Sequence, residues 1–489
     1  MTITPEQLAQ ALGLPPPTDE QSAVIAAPLG PTLVVAGAGA GKTETMAARV
    51  VWMVANRLVA PDAVLGLTFT RKAAQQLTTR IRTRLARLAG SPLLREIDST
   101  GRLRATLVGS EPEISTYHSY AGRLLSEHGL LLPVEPSATL LTETQLWQLA
   151  HRVVTGWDGD LDTERTPVSV TEAVLALSGQ LAEHLVEPEQ LAVAHRELER
   201  LVETLPPGPR QRGGPNQELR AIVKAQQDRV ALLPLVARLG EELRRRGALD
   251  FGSQMSLAAR LAATHAEVGA AECERFRLVL LDEYQDTGHA QRILLAALFG
   301  DRAAVGIGAE VPPTDFATRP AVTAVGDPMQ SIYGWRGASA ANLPRFTTDF
   351  PAAPNVAAPV LPLLTSWRNP PEALDLANLV AEPLRGAEGG SRSTRCVPGR
   401  RRRPEPSRWL SPKPLPTNGR GLPSGSPRNG SSVPTPDGRH RPPRCWCAAT
   451  PTRRRWPRRC ARGGCRWRSS AWVVCSPPPK WPISSPPCG

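Results

Sequence analysis

The stretch 31-PTLVVAGAGAGKTETMAARVVWMVAN-56 decides how this chain is read. A short apolar run predicts a buried strand, the alternating Gly and Ala of 36-AGAGAGKT-43 predict a tight turn, and the spacing that follows is helical. A strand that passes through a glycine-rich turn into a helix aims backbone N–H groups at a phosphate chain. Ala36, Gly37, Ala38, Gly39, Ala40 and Gly41 would form that cradle. Lys42 would reach the terminal phosphates, and the Thr43 hydroxyl is placed to hold Mg²⁺. The usual pattern opens with Gly where Ala36 stands, and a Gly/Ala-rich linker is the competing reading. The Lys-Thr pair at the start of a helix argues for the cradle.

Working outward, 63-AVLGLTFTRKAAQQLTTRIRTRLARL-88 repeats the plan of a strand followed by a helix. Such a rhythm predicts an α/β fold, a parallel sheet with helices on both faces. Residues 120–245 are mostly Leu, Ala, Glu and Arg in helical patterns, broken near 205-LPPGPRQRGGP-215, and read as a helical insertion. The strand rhythm returns at 277-RLVLLDE-283 and 321-AVTAVGD-327, so one sheet draws on residues 1–119 and 246–354. Between these strands, 303-AAVGIGAEVPPTDFATRP-320 reads as a surface loop.

Two further segments carry chemistry. In 278-LVLLDEYQDT-287 a buried strand ends in adjacent acids, where open parallel sheets place their ligands. Asp282 would hold Mg²⁺, directly or through water, and Glu283 would polarise an attacking water. A solvated strand end is the bland alternative, and the phosphate loop some 240 residues earlier weighs against it. In 322-VTAVGDPMQSIYGWRGA-338 a strand end brings Gln330 toward the same sheet edge, where an amide could read the γ-phosphate or its water. Tyr333 and Trp335 follow; they could stack on nucleic-acid bases, worth roughly 1–3 kcal/mol per base, or fill a small core under the loop.

Composition needs dividing before it is used. The net charge is +13 over 489 residues, which alone would suggest a nucleic-acid partner. Residues 1–382, however, hold 35 Lys and Arg against 42 Asp and Glu, while residues 383–489 hold 23 against 3. The basic character therefore belongs to the tail. Only Cys273 precedes Cys396, which fits a reducing compartment without a disulfide framework. No apolar run approaches twenty residues and no signal peptide opens the chain, so a soluble, cytoplasmic protein without a membrane partner is expected.

Taken in order, these motifs resemble those of the UvrD/Rep-type superfamily 1 helicases, from about Pro17 to Leu384. The family itself favours Ala at the position of Ala36. The resemblance implies a RecA-like P-loop NTPase domain with ATP and Mg²⁺ as cofactors, and 3′–5′ movement on single-stranded DNA in repair or recombination. Gln21 in 18-TDEQSAVI-25 looks like the family's adenine contact. The segments 67-LTFTRKAAQQLTTRI-81 and 115-STYHSY-120 resemble strand-contacting motifs, which brings in Phe69, Thr70 and His118. By the same resemblance, Phe69, Tyr333 and Trp335 would stack on the strand and Arg336 would touch its backbone or brace the loop. Gln330 would couple that track to the γ-phosphate, and Arg368 in 365-TSWRNP-370 falls on a phosphate-contacting arginine. Trp367 replaces the usual Tyr. The helical insertion would touch duplex DNA. The wording of 330-QSIYGWRGA-338 is nearest to actinobacterial helicase–nuclease subunits of the AdnB kind, which implies a second such subunit as partner.

The resemblance weakens near residue 389. Residues 355–388 read as the start of a second RecA-like domain, with a helix at 371-PEALDLANLVAEPLR-385. From 389 to 489, Arg, Pro, Ser, Gly, Cys and Trp dominate. A basic disordered arm, a zinc site around 445-CWC-447 and a GC-rich gene read out of frame are the three readings of this tail. Its Trp and Cys content favours the last. On that reading the chain would bind nucleotide, hydrolyse ATP weakly and unwind nothing alone. Another kind of P-loop ATPase is the rival enzyme class, and a non-catalytic ATP- and DNA-binding fragment is the rival outside enzymes.

Overall fold

The strands are short and nearly all apolar, and this dictates where they can lie. The computed structural model describes residues 2–385 apart from 133, 162, 164, 205–214 and 306–318, together with 397 and 398. Strands β1 (Thr32–Ala36), β2 (Val64–Thr68), β3 (Glu113–Thr116), β4 (Leu278–Leu281), β5 (Ala321–Gly326) and β6 (Val360–Leu363) form one six-stranded sheet in the order β3-β2-β4-β5-β1-β6. Every pairing in it is parallel. All residues of β2, β4 and β5 are buried, as expected of strands covered on both faces, while the outer β3 and β6 are partly open.

Alternation along the strands feeds two cores. Leu33, Leu65, Leu67, Val279, Leu281 and Ala324 face one side, toward the helices Tyr117–His128, Phe251–Thr264 and His289–Phe299. Val34, Ala36, Leu278, Leu280 and Val325 face the other, toward the helices Lys42–Ala55 and Arg71–Gly90. The expected α/β architecture with helices on both faces is therefore the observed one.

Two elements lie across the expected limits of the sheet domain. Helix Tyr117–His128 straddles residue 120, yet its Tyr120, Ala121, Leu124 and Leu125 belong to the core beneath the sheet. The helices Glu143–Thr155, Pro167–His184, Pro188–Thr204, Gln217–Ala231 and Leu233–Arg245 follow. A short parallel pair, Thr139–Leu140 with Ala248–Leu249, ties the entry of this helical region to its exit. At the other end, β6 lies beyond residue 354 but pairs along β1, with Val34 opposite Leu361. Its apolar run Val360-Leu361-Pro362-Leu363 is too short to read as a strand in sequence.

The helix Pro371–Arg385 is present as expected. Arg302–Val305 makes one helical turn, and the remainder of the expected 303–320 loop up to residue 318 lies outside the described residues. The break at 205–214 lies outside them too, as does the 389–489 tail except for Val397–Pro398, which pair with Thr365–Ser366. Among the described residues, no helix is long and apolar enough to cross a membrane.

One buried cation fastens the N-terminal segment to the sheet. Arg49 is 0% exposed, and its guanidinium donates to the carbonyls of Val24, Ile25, Ala27 and Pro28 and to the Thr323 hydroxyl. Burial pulls its pKa down to about 10, which leaves it charged at neutral pH. A substitution by methionine keeps most of the volume and strands those carbonyls. We expect Arg49→Met to cost about 3 kcal/mol or more, read as a fall in the urea unfolding midpoint.

Candidate functional site

The carboxyl end of β1 opens into the glycine-rich turn. Gly39 and Gly41 hold φ of +79° and +81°, a left-handed conformation that side chains with a Cβ seldom adopt. Gly41 then caps the helix Lys42–Ala55, so that its free N–H groups face the turn. Gln21 reaches this turn from the helix Asp19–Ile25. Its carbonyl accepts from Thr18 N at 3.2 Å and its amide donates to Ala40 O at 3.4 Å. Beside it lies a pocket lined by Leu8, Leu12, Ile25, Glu44 and Arg84, with Arg84 and Glu44 joined as an ion pair.

The acids enter from β4. Glu283 takes a left-handed backbone (φ +50°) and its carboxylate meets the Lys42 ammonium at 3.0 Å. Asp282 is buried, and burial together with the neighbouring Glu283 pushes its carboxyl up to about 6. The same two causes push Asp286 up to about 6. Thr43 and Asp282 supply hard oxygen donors. Among the described residues, no group of three or more His, Cys, Asp or Glu could hold a metal. One carboxylate and one hydroxyl suit an ion such as Mg²⁺, which keeps several waters and takes the rest of its shell from substrate phosphates.

A relay leads away from Glu283 and includes two residues the sequence reading did not single out. Gln285 Nε2 donates to Glu283 at 3.0 Å, while Gln285 Oε1 accepts from Asp327 N at 3.0 Å. Asp327 Oδ2 in turn accepts from Gln330 Nε2 at 2.6 Å. The Gln330 amide is therefore bonded to Asp327, at the end of a chain that runs back to Glu283. Both Gln285 and Asp327 lie inside quoted motifs. Their partnership depends on β4 and β5 being neighbours, with Leu281 opposite Ala324, which spacing along the chain cannot show.

The 365–370 segment caps the glycine turn. Trp367 N donates to Gly39 O at 3.0 Å and Ser366 Oγ to Ala38 O at 2.9 Å. Glu20, also missed in the sequence, accepts from Leu364 N at 2.8 Å and Thr365 N at 3.3 Å. Arg368 thus follows directly over the turn.

The candidate strand-contacting residues divide into two groups. Phe69 is half-buried and meets Tyr117 edge to face at 5.5 Å; the Tyr117 hydroxyl donates to Asp282 O at 3.2 Å. The Thr70 hydroxyl accepts from Ala73 N and caps the helix Arg71–Gly90. His118 packs edge to face on Phe251 at 5.7 Å, and burial lowers its pKa. In the second group, Trp335 is 74% exposed, with Tyr333 6.3 Å away and the Arg336 guanidinium 4.5 Å over its ring. Ile332 beside them is exposed as well. Side chains of this size held in water mark a contact surface.

At Gly39 an added Cβ would come within 2.7 Å of Arg368 Cβ and 2.9 Å of Ser366 Oγ. We therefore expect Gly39→Ala to lift the 364–369 segment off the turn. Hydrogen exchange at the Trp367 amide should accelerate at least tenfold, with the core strand β4 unchanged.

Comparison with known proteins bears on the family of the chain. The profile of the UvrD/REP helicase N-terminal domain matches residues 17–351. DNA helicase II of Escherichia coli (strain K12) is 27% identical over 371 residues, 76% of this chain and 41% of that protein. ATP-dependent DNA helicase UvrD1 of Mycobacterium leprae (strain TN) is 29% identical over 351 residues, 72% of this chain and 37% of that protein. ATP-dependent DNA helicase PcrA of Leuconostoc citreum is 26% identical over 362 residues, 74% of this chain and 38% of that protein. The chain spans about two fifths of the length of these curated relatives. A profile match over most of the chain, laid on a sheet that gathers the motifs at one edge, places this protein in the UvrD/REP helicase family.

Proposed function

We propose that this chain carries the nucleotide-binding and strand-gripping part of an ATP-dependent DNA helicase that moves 3′ to 5′ on single-stranded DNA in repair or recombination. The observation that carries the reading is the relay Lys42–Glu283–Gln285–Asp327–Gln330, whose far end lies three residues from Tyr333 and five from Trp335. A change at the acid can reach the aromatic loop through three polar contacts. The relatives' names, all ATP-dependent DNA helicases or DNA helicase II, support the same class.

In this reading the turn from Ala36 to Gly41 cradles the phosphates and Lys42 balances their charge. Gln21 borders the pocket for the adenine. Arg368 reaches the phosphates from above the turn. Bound Mg²⁺ would neutralise charge developing on the phosphates, held by Asp282 and Thr43. A cation at Asp282 would favour the charged form of that carboxylate, against the burial that pushes it up to about 6. Glu283 orients and deprotonates the attacking water, and Gln330 reports the state of the site to the loop. Tyr333, Trp335 and Arg336 form one grip on single-stranded DNA, with Phe69 and His118 as another; Thr70 acts by capping the helix that follows Phe69.

The division of labour follows. Residues 1–119 and 246–354, extended by β6, form the ATPase domain. The helices between Thr139–Leu140 and Ala248–Leu249 form an insertion facing duplex DNA, and 355–388 lead from β6 toward a second motor domain. A second helicase–nuclease subunit as partner rests on the wording of 330-QSIYGWRGA-338 alone.

The test is ATP binding and turnover by the purified chain with and without oligo(dT). Wild type should bind ATP with Mg²⁺ and turn it over faster with oligo(dT). Glu283→Gln should keep binding and lose turnover by about 10²-fold or more. Lys42→Ala should lose binding. A wild-type chain that binds no nucleotide, or whose turnover is the same in Glu283→Gln, overturns the reading.

A further inference from the structure

The helix Pro167–His184 ends against the aromatic loop, and the side chain at that end occupies a slot made of glycine. Glu183 projects between Gly288, which follows the paired acids, and Gly337, which ends 330-QSIYGWRG-337. A Cβ at Gly288 would overlap the Glu183 carboxylate, and one at Gly337 would come within 2.7 Å of Glu183 Cγ. The two glycines belong to backbones that are already joined. Gly288 and Ala338 form an antiparallel bridge, and Ser339 N donates to Thr287 O at 3.2 Å.

The carboxylate also faces the start of the helix His289–Phe299, whose N-cap, Gly288, has no side chain to offer. An acid at a helix N-terminus is favoured by the free amides and the helix dipole. Burial pushes the Glu183 carboxyl up to about 7, against the pull of the His289 and Ala290 amides, and Glu183 Oε1 is buried without a hydrogen-bond partner. Such a group is held by shape as much as by polarity. At the same junction the His184 and His289 rings lie 6.1 Å apart.

We propose that Glu183 is a positioning residue, a clasp that locks the inserted helices onto the Gly288–Gly337 slot so that the aromatic loop and the insertion move as one body. This rests on the reading of that loop as a single-strand grip. Motion of the loop on nucleotide binding would then carry the insertion with it, without any direct contact between the insertion and the nucleotide.

Gly288 allows a clean test, because its φ of −86° suits any residue and the three atoms nearest to its Cβ would all belong to the Glu183 carboxylate. Three variants of the full chain are compared: Glu183→Ala, Gly288→Ala and the double substitution. Hydrogen exchange of the 334–338 amides should rise at least tenfold in each single variant, with the helix Lys42–Ala55 unchanged. The double variant should be no worse than either single one, since both remove the same contact. By fluorescence anisotropy, the effect of a non-hydrolysable ATP analogue on oligo(dT) affinity should shrink at least threefold, with nucleotide affinity unchanged. Unaltered exchange at 334–338 in Glu183→Ala, or additive effects in the double variant, overturns the clasp. If wild type binds no oligo(dT), the single-strand reading falls, while the exchange measurements still decide the clasp.

Discussion

Parallel pairing is the constraint from which the rest of this molecule follows. When all six strands run the same way, their carboxyl ends open at one edge of the sheet. β1 delivers the glycine turn there, β4 the paired acids, β5 the Asp327–Gln330 segment and β6 the Trp367–Arg368 segment. Lys42 and Glu283 are 241 residues apart in the chain and 3.0 Å apart in space for this reason alone. No long-range recognition is needed beyond the burial of apolar strands between two layers of helices.

The same edge concentrates charge in a partly desolvated place. Asp282 and Asp286 are both pushed up to about 6 by burial and by Glu283. Three acids this close oppose folding, and the Lys42 ammonium with the Gln285 amide offsets them locally. Arrangements of this kind are common where function, rather than stability, has set the residues. Away from the edge, two buried arginines are well matched: Arg292 and Asp349 form a two-point pair at 2.6 Å, and Arg49 meets five acceptors.

The legible parts of the sequence were those where one local pattern has one physical outcome. The apolar runs of β1, β2, β4 and β5, the glycine turn and the strand-end acids announce themselves within eight or ten residues. The boundaries did not. Tyr117–His128 has the same Leu-rich helical look as the helices after it, and only its packing on Leu65, Leu67 and Val279 assigns it to the sheet. β6 is four residues long with a proline inside, and an edge strand can carry proline because one side of its ladder is unpaired.

Residue types and their order along the chain, by themselves, determined that this protein has a parallel α/β sheet, a glycine-rich turn opening a helix and an aromatic-rich segment after a strand, since each rests on local periodicity and turn chemistry; that Trp335 is exposed was decided by the fold. The partners of those residues were decided only by the tertiary structure. Gln285 became the link between Glu283 and Asp327, Glu20 the anchor of the 364–365 backbone, and Glu183 the side chain that fills the Gly288–Gly337 slot. Each joins elements that are distant in sequence, and a hydrogen bond or a steric fit depends on separations of a few ångströms that only the packing of the strands and helices sets.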